Sequence, residues 1–80
     1  MTYDEVKAQL TEVFRQVFDQ PTLALEDATT AKDVEGWDSL THINLIVAAE
    51  KAFRTRFTTR EVQALANVGD FIRLIQKRCG

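Results

Sequence analysis

The spacing of apolar residues constrains this chain more than any other feature. Apolar side chains recur at intervals of three and four, and strand-type alternation never survives more than a few residues. A repeat near 3.6 buries one stripe of a helix, whereas a half-buried strand needs a repeat of two. Val6, Leu10, Val13, Phe14 and Val17 make one such stripe, and Phe18 widens it. Ahead of them, Thr2-Tyr3-Asp4-Glu5 has capping-box spacing, with Thr2 as N-cap and Glu5 as its reciprocal partner. Pro21 bars continuation and pushes Gln20 towards an extended conformation. These signals predict a first helix over residues 3–18.

The second half repeats the pattern. Leu40, Ile43, Ile46, Val47, Glu50 and Phe53 recur at three and four, with Leu45 and Ala48 on a second flank. So broad an apolar face predicts a helix over 39–53 that touches neighbours on more than one side. Asp38 is a good N-cap for it. Phe57 is the apolar residue of the short link after it. Thr58-Thr59-Arg60-Glu61 is a second capping-box spacing, predicting a short helix over 59–65 with Val62, Leu65 and Ala66 inward. Asn67 can cap a last helix over 68–78, where Val68, Phe71, Ile72 and Ile75 form the stripe. Gly69 falls in its first turn, and Arg73, Lys77 and Arg78 suit the negative end of its dipole.

Residues 19–38 have neither period, and twenty residues is long for a connection in so small a chain. Either Leu23, Leu25, Val34 and Trp37 pin this segment across the core, or a turn of helix lies within Asp33–Gly36. The expected fold is all-α: a four-helix bundle of three longer helices and one short one, with a long first loop.

Length, charge and cysteine usage narrow the function. Eighty residues predict one domain spanning 1–80. One cysteine, Cys79, cannot form an internal disulfide, which fits a reducing compartment, and it reads as a tail residue without a role. No apolar run reaches the roughly 20 residues of a membrane span, and no signal peptide opens the chain. The expectation is therefore a cytoplasmic, monomeric protein. Residues 1–40 carry nine acids against three bases, and residues 41–80 three acids against seven bases. The bases are dispersed, with little aromatic interleaving, so nucleic acid is not an expected partner. One histidine, one cysteine and scattered carboxylates give no metal-ligand spacing.

The chemistry concentrates in Gly36-Trp37-Asp38-Ser39-Leu40. Here a turn glycine, an apolar anchor, a helix cap and a first-turn hydroxyl meet. A helix N-terminus presents unpaired N–H groups and a positive dipole end, which favour a phosphate. Ser39, His42 and Asp38 also hold the residue types of a catalytic triad, but Asp38 is better used as a cap. A chain this short has little room for an oxyanion hole. His42 reads as a partly exposed polar residue, or as a contact for a group held at Ser39.

From Gly36 to Phe53 the sequence GWDSLTHINLIVAAEKAF resembles the acyl carrier protein family, marked by Asp-Ser-Leu opening the second helix of a four-helix bundle. Leu40, Ile43, Leu45, Ile46, Glu50 and Phe53 fit that helix. Phe57 fits the family's next link, and Val68, Phe71, Ile72 and Ile75 fit its last helix. The resemblance covers essentially the whole chain. It implies that Ser39 is esterified by 4′-phosphopantetheine, added from coenzyme A by a phosphopantetheinyl transferase. The arm would carry an acyl group as a thioester, making the chain a carrier and not an enzyme. Trp37, Asp38, Leu40 and His42 would support the arm or meet partners. Those partners would be acyl-loading and acyl-processing enzymes of ligase, synthetase, ketosynthase or acyltransferase type. The core, with small residues such as Ala49 and Ala52, would part to shelter the acyl chain.

Departures from the family's pattern refine this. Carriers of bacterial fatty-acid synthesis usually have an acidic second helix, yet here Glu50 is its one acid, and Arg54, Arg56 and Arg60 come after it. Trp37 replaces an aliphatic residue, and Thr58 a proline. The resemblance therefore implies a specialised carrier for polyketide, modified-lipid or related synthesis. An aminoacyl or peptidyl carrier and an unmodified docking module of the same fold are the alternatives.

Overall fold

The computed structural model describes residues 2–79, apart from the Cys79 side chain, so the expectation for that thiol lies outside the described residues. Four helices occur in order: α1 (Tyr3–Phe18), α2 (Ser39–Phe53), α3 (Thr59–Gln63) and α4 (Val68–Cys79). Among the described residues there is no strand.

Each helix begins where its cap dictates. Thr2 and Glu5 form the reciprocal box of α1. Thr58 and Glu61 form that of α3. At α4 the Asn67 side chain accepts from the Asp70 N–H at 2.9 Å. Two expected ends move by one or two residues: α3 stops at Gln63 instead of 65, and α4 runs to Cys79 instead of 78. The early stop leaves Leu65 half-buried and Ala66 exposed, so Ala66 does not face inward as expected.

α1 packs against both α2 and α4. Val6, Leu10, Val13 and Phe14 of α1 meet Leu45, Ile46, Ala49 and Phe53 of α2, and Val68, Phe71, Ile72 and Ile75 of α4. Each large aliphatic or aromatic side chain so buried contributes about 1.5–3 kcal/mol. Phe14 sits at the middle of an aromatic group, its ring centre 5.2 Å from Trp37, 5.7 Å from Phe18 and 6.5 Å from Phe71.

The broad apolar face of α2 behaves differently from expectation. Leu45, Ile46, Ala49 and Phe53 are buried, but Leu40, Ile43 and Val47 are 70%, 61% and 43% exposed. One side of α2 therefore lacks a neighbour among the described residues. Ala52 is exposed too, so only Ala49 serves close approach in the core. The Ala52 carbonyl instead accepts from Gln9 Nε2 at 2.8 Å, tying α2 to α1.

The segment between α1 and α2 is held down by apolar anchors and polar ties, with turns and no helix over 33–36. Leu25 and Val34 are 4% and 3% exposed, while Leu23 and Trp37 pack on the core's edge. Arg15 Nε donates to the Leu23 carbonyl at 2.8 Å, and Gln20 Nε2 to that of Glu35 at 3.0 Å. The N–H groups of Val68 and Gly69 donate to the carbonyls of Thr29 and Asp27 at 2.9 and 2.8 Å. The loop thus supplies acceptors that the first turn of α4 needs.

Candidate functional site

The segment 36–42 is fixed by a dense cap. Gly36 adopts a φ of +88°, a left-handed turn that suits a residue without a Cβ. Asp38 Oδ1 accepts from the N–H groups of Leu40 and Thr41 at 3.0 and 2.9 Å. Reciprocally, Thr41 Oγ1 accepts from the Asp38 N–H at 2.7 Å and donates to the Gly36 carbonyl at 2.7 Å. These bonds hold the Asp38 carboxyl below the usual carboxylate range, the Thr41 N–H contributing most. The cap is therefore ionised at neutral pH.

This cap changes the expected anion site. The helix N-terminus does not offer several free donors, because Asp38 and Thr41 occupy those of residues 38, 40 and 41. The His42 N–H is spent on the Asp38 carbonyl at 2.9 Å. Among the described residues only the Ser39 N–H is left over at this end. Thr41 was not legible as a cap partner, because Asp38-x-x-Thr41 exchanges the residue types of the usual box. Ser39 itself is exposed, and among the described residues its hydroxyl makes no hydrogen bond.

Trp37 and His42 form a pair beside Ser39. Trp37 Nε1 donates to His42 Nδ1 at 3.1 Å, and the two rings lie edge to edge and nearly coplanar, their planes 16° apart and their centres 6.0 Å apart. Trp37 also meets Phe14 edge-on at 82° and Phe18 at 48°. It thereby joins the loop, α1 and the start of α2. Burial pushes the His42 pKa down. With Nδ1 accepting, the neutral ring carries its proton on Nε2. His42 is thus half-buried, as one sequence expectation held, and bonded to Trp37. Its acceptor nitrogen belongs to Trp37 and the Asp38 carboxylate to the cap, so the triad's hydrogen bonds are not formed.

An open groove of about 640 Å³ runs from Ser39 between the loop, α2 and the α3–α4 connection. Trp37, His42, Leu65, Asn67 and Phe71 are among its walls. Leu65, Asn67 and Phe71 carried no local signal of this, because they are distant in sequence and only the fold brings them here. Leu40 points away from the core as an exposed apolar side chain. Among the described residues no group of three or more His, Cys, Asp or Glu could hold a metal ion. Among the described residues no helix is long and apolar enough to cross a membrane.

Comparison with known proteins now bears on this geometry. The family model described as "Phosphopantetheine attachment site" matches residues 8–75. An acyl carrier protein of Acidothermus cellulolyticus is 31% identical over 72 residues, covering 90% of this chain and 86% of that protein. The solution NMR structure of the holo acyl carrier protein from Geobacter metallireducens superposes with a TM-score of 0.86 at 44% identity, over 91% of this chain and 84% of the other. The four-helix order, the serine-bearing start of α2 and these matches agree, and the chain belongs to the acyl carrier protein family, whose prosthetic group is 4′-phosphopantetheine.

Proposed function

We propose that this chain is a non-catalytic, cytoplasmic carrier, one domain over residues 1–80, with Ser39 the residue esterified by 4′-phosphopantetheine. The observation that carries this reading is the Ser39 hydroxyl: exposed, unbonded among the described residues, and held at the first turn of α2 beside an open groove. A transferase working on coenzyme A needs such access, and a buried or bonded hydroxyl would deny it. When attached, the arm supplies a thiol that holds an acyl group as a thioester.

This chain's own residues orient and accommodate. Asp38 and Thr41 fix the start of α2, and so the direction in which Ser39 projects. The Ser39 N–H and the helix dipole favour a phosphodiester, while the ionised Asp38 opposes it. The family's arm therefore fits here on access and shape more than on charge. Trp37 and His42 wall the groove along which an arm could lie. Leu40, Ile43 and Val47 offer acyl-loading and acyl-processing enzymes an apolar contact. The lack of acids along α2 other than Glu50 supports a specialised carrier, serving polyketide or modified-lipid synthesis, over the carrier of central fatty-acid synthesis.

Intact mass tests the reading. Incubation with coenzyme A and a promiscuous phosphopantetheinyl transferase should add one phosphopantetheine unit, and Ser39→Ala should add none. No gain by the wild type, or a gain that survives the substitution, sinks it. Circular dichroism of the variant separates loss of the hydroxyl from loss of the fold.

A further inference from the structure

Leu40, Ile43 and Val47 lie on one face of α2, and the same face continues through Lys51 to Arg54. The offsets of three, four, four and three keep all five on one row. All five are exposed. At the basic end a groove of about 470 Å³ is lined by Val47, Glu50, Lys51, Arg54, Thr55 and Arg56. Its three cations have no ion pair among the described residues, since the ion pairs there use Lys7, Arg15, Arg73 and Arg78. Its acid is engaged: Glu50 Oε2 accepts from the Phe57 N–H at 2.9 Å.

We propose that this row is a docking surface for a partner protein presenting an apolar socket with carboxylates beyond it, placed to meet Lys51, Arg54 and Arg56. The proposal rests on the carrier reading and adds the sign of the partner. α2 has 15 residues and is about 22 Å long, so the cations sit a full helix away from Ser39. Asp38 and a phosphodiester at Ser39 make the other end anionic. The surface is therefore polar along its length, and a partner of matching polarity receives it in one direction only. That direction decides which end of the helix faces the partner's active site, and so whether the arm at Ser39 is delivered there.

Two observations favour a protein over other anions. Exposed aliphatic side chains contiguous with the cations suit a socket, whereas a nucleic acid uses cation stripes with aromatic platforms. An anionic lipid surface laid along α2 would be opposed at the other end of the helix, where Asp38 and a phosphodiester at Ser39 carry negative charge. Arg54 occupies a left-handed position, φ +53°, where glycine is the easy choice.

The test uses the unmodified chain and two synthetic amphipathic peptides, each with leucines on one face, flanked by glutamates in one and by lysines in the other. Amide shifts in 15N spectra report the site. The glutamate peptide should bind about tenfold tighter than the lysine peptide, with shifts centred on residues 47–56. High salt should remove that preference. Arg54→Gly with Arg56→Gln should cut the preference severalfold, Lys51 keeping a remnant, without lowering the Tm, since glycine suits position 54. Equal affinities, a preference for lysine, or a preference undiminished by the double substitution overturns the proposal. So does a sedimentation coefficient that rises with concentration and falls with the double variant, which would assign the face to a second copy. Preferential binding to phosphatidylglycerol vesicles would likewise overturn it. Ser39 modification is read by mass on the same preparation, so failure of the carrier reading and failure of this one look different.

Discussion

Asp38 and His42 show how much of the site is set by single side chains. Asp38 carries two helix N–H bonds and orients the residue after it. Asp38→Ala should lower the Tm by roughly 5 °C and slow modification of Ser39, because the first turn of α2 frays. An unchanged melting curve would assign Asp38 to partner contact alone. His42 has a depressed pKa through burial, so the folded state binds its proton less readily than the unfolded chain does. Its contribution to stability is therefore complete above about pH 6.5 and is lost as pH falls below that value. Protonation also sets an N–H against the Trp37 N–H, breaking their 3.1 Å bond. Trp37 is the one tryptophan, so its fluorescence should change with a midpoint below about 6.5. His42→Gln should remove that transition and leave the more acidic one of Asp38. A midpoint above the usual histidine range contradicts the burial argument.

At the scale of elements, legibility divides between helix limits and helix faces. α1 was readable to the residue, because a capping box opens it and Pro21 lies just past its end. α2 was readable in extent and not in orientation. Its apolar residues go most of the way round, and only contact with α1 decides that Leu45 and Ala49 are inside while Ile43 is outside. A sequence that exposes its own apolar residues at a functional face gives periodicity no way to tell the two sides apart. The loop anchors were legible, but the loop's bonds to α4 were not, because backbone acceptors leave no trace in residue type. The exposed face predicts that Ile43→Gln changes the Tm by less than about 2 °C, whereas Leu45→Ala costs about 2–5 kcal/mol. At the far end, Arg54→Gly should stabilise by about 1 kcal/mol by relieving the left-handed backbone, read as a higher denaturation midpoint. A loss of stability there would mean that Arg54 holds the fold and is not kept for its charge.

The whole molecule depends on its longest irregular segment being strapped to its last helix. The loop carries Trp37 and delivers the chain to Ser39, and it is anchored where Val68 and Gly69 donate to Thr29 and Asp27. Gly69 is what lets the two backbones approach. A Cβ there would stand 3.1 Å from the Asp27 carbonyl oxygen and 3.3 Å from Asn67 Oδ1. Two effects compete in Gly69→Ala. Helix propensity favours alanine, by less than the interior value of about 1 kcal/mol because residue 69 lies in the first turn of α4, and alone would raise the Tm by a few degrees. The contact opposes it, since the Asp27 side chain is paired with Lys7 at 3.7 Å and Thr29, two residues on, accepts from the Val68 N–H. The loop must retreat by a few tenths of an ångström, stretching a 2.8 Å hydrogen bond. The contact should win, so Gly69→Ala gives an equal or lower Tm, and Gly69→Val a clearly lower one. Amide exchange at residues 68 and 69 should quicken in both variants while the buried turns of α1 keep their protection. Because the strap sets the path of the loop, Gly69→Val should also slow transferase modification of Ser39, though residue 69 does not line its groove. A variant with the propensity gain in Tm and unaltered exchange would show that the loop is held by Leu25 and Val34 alone.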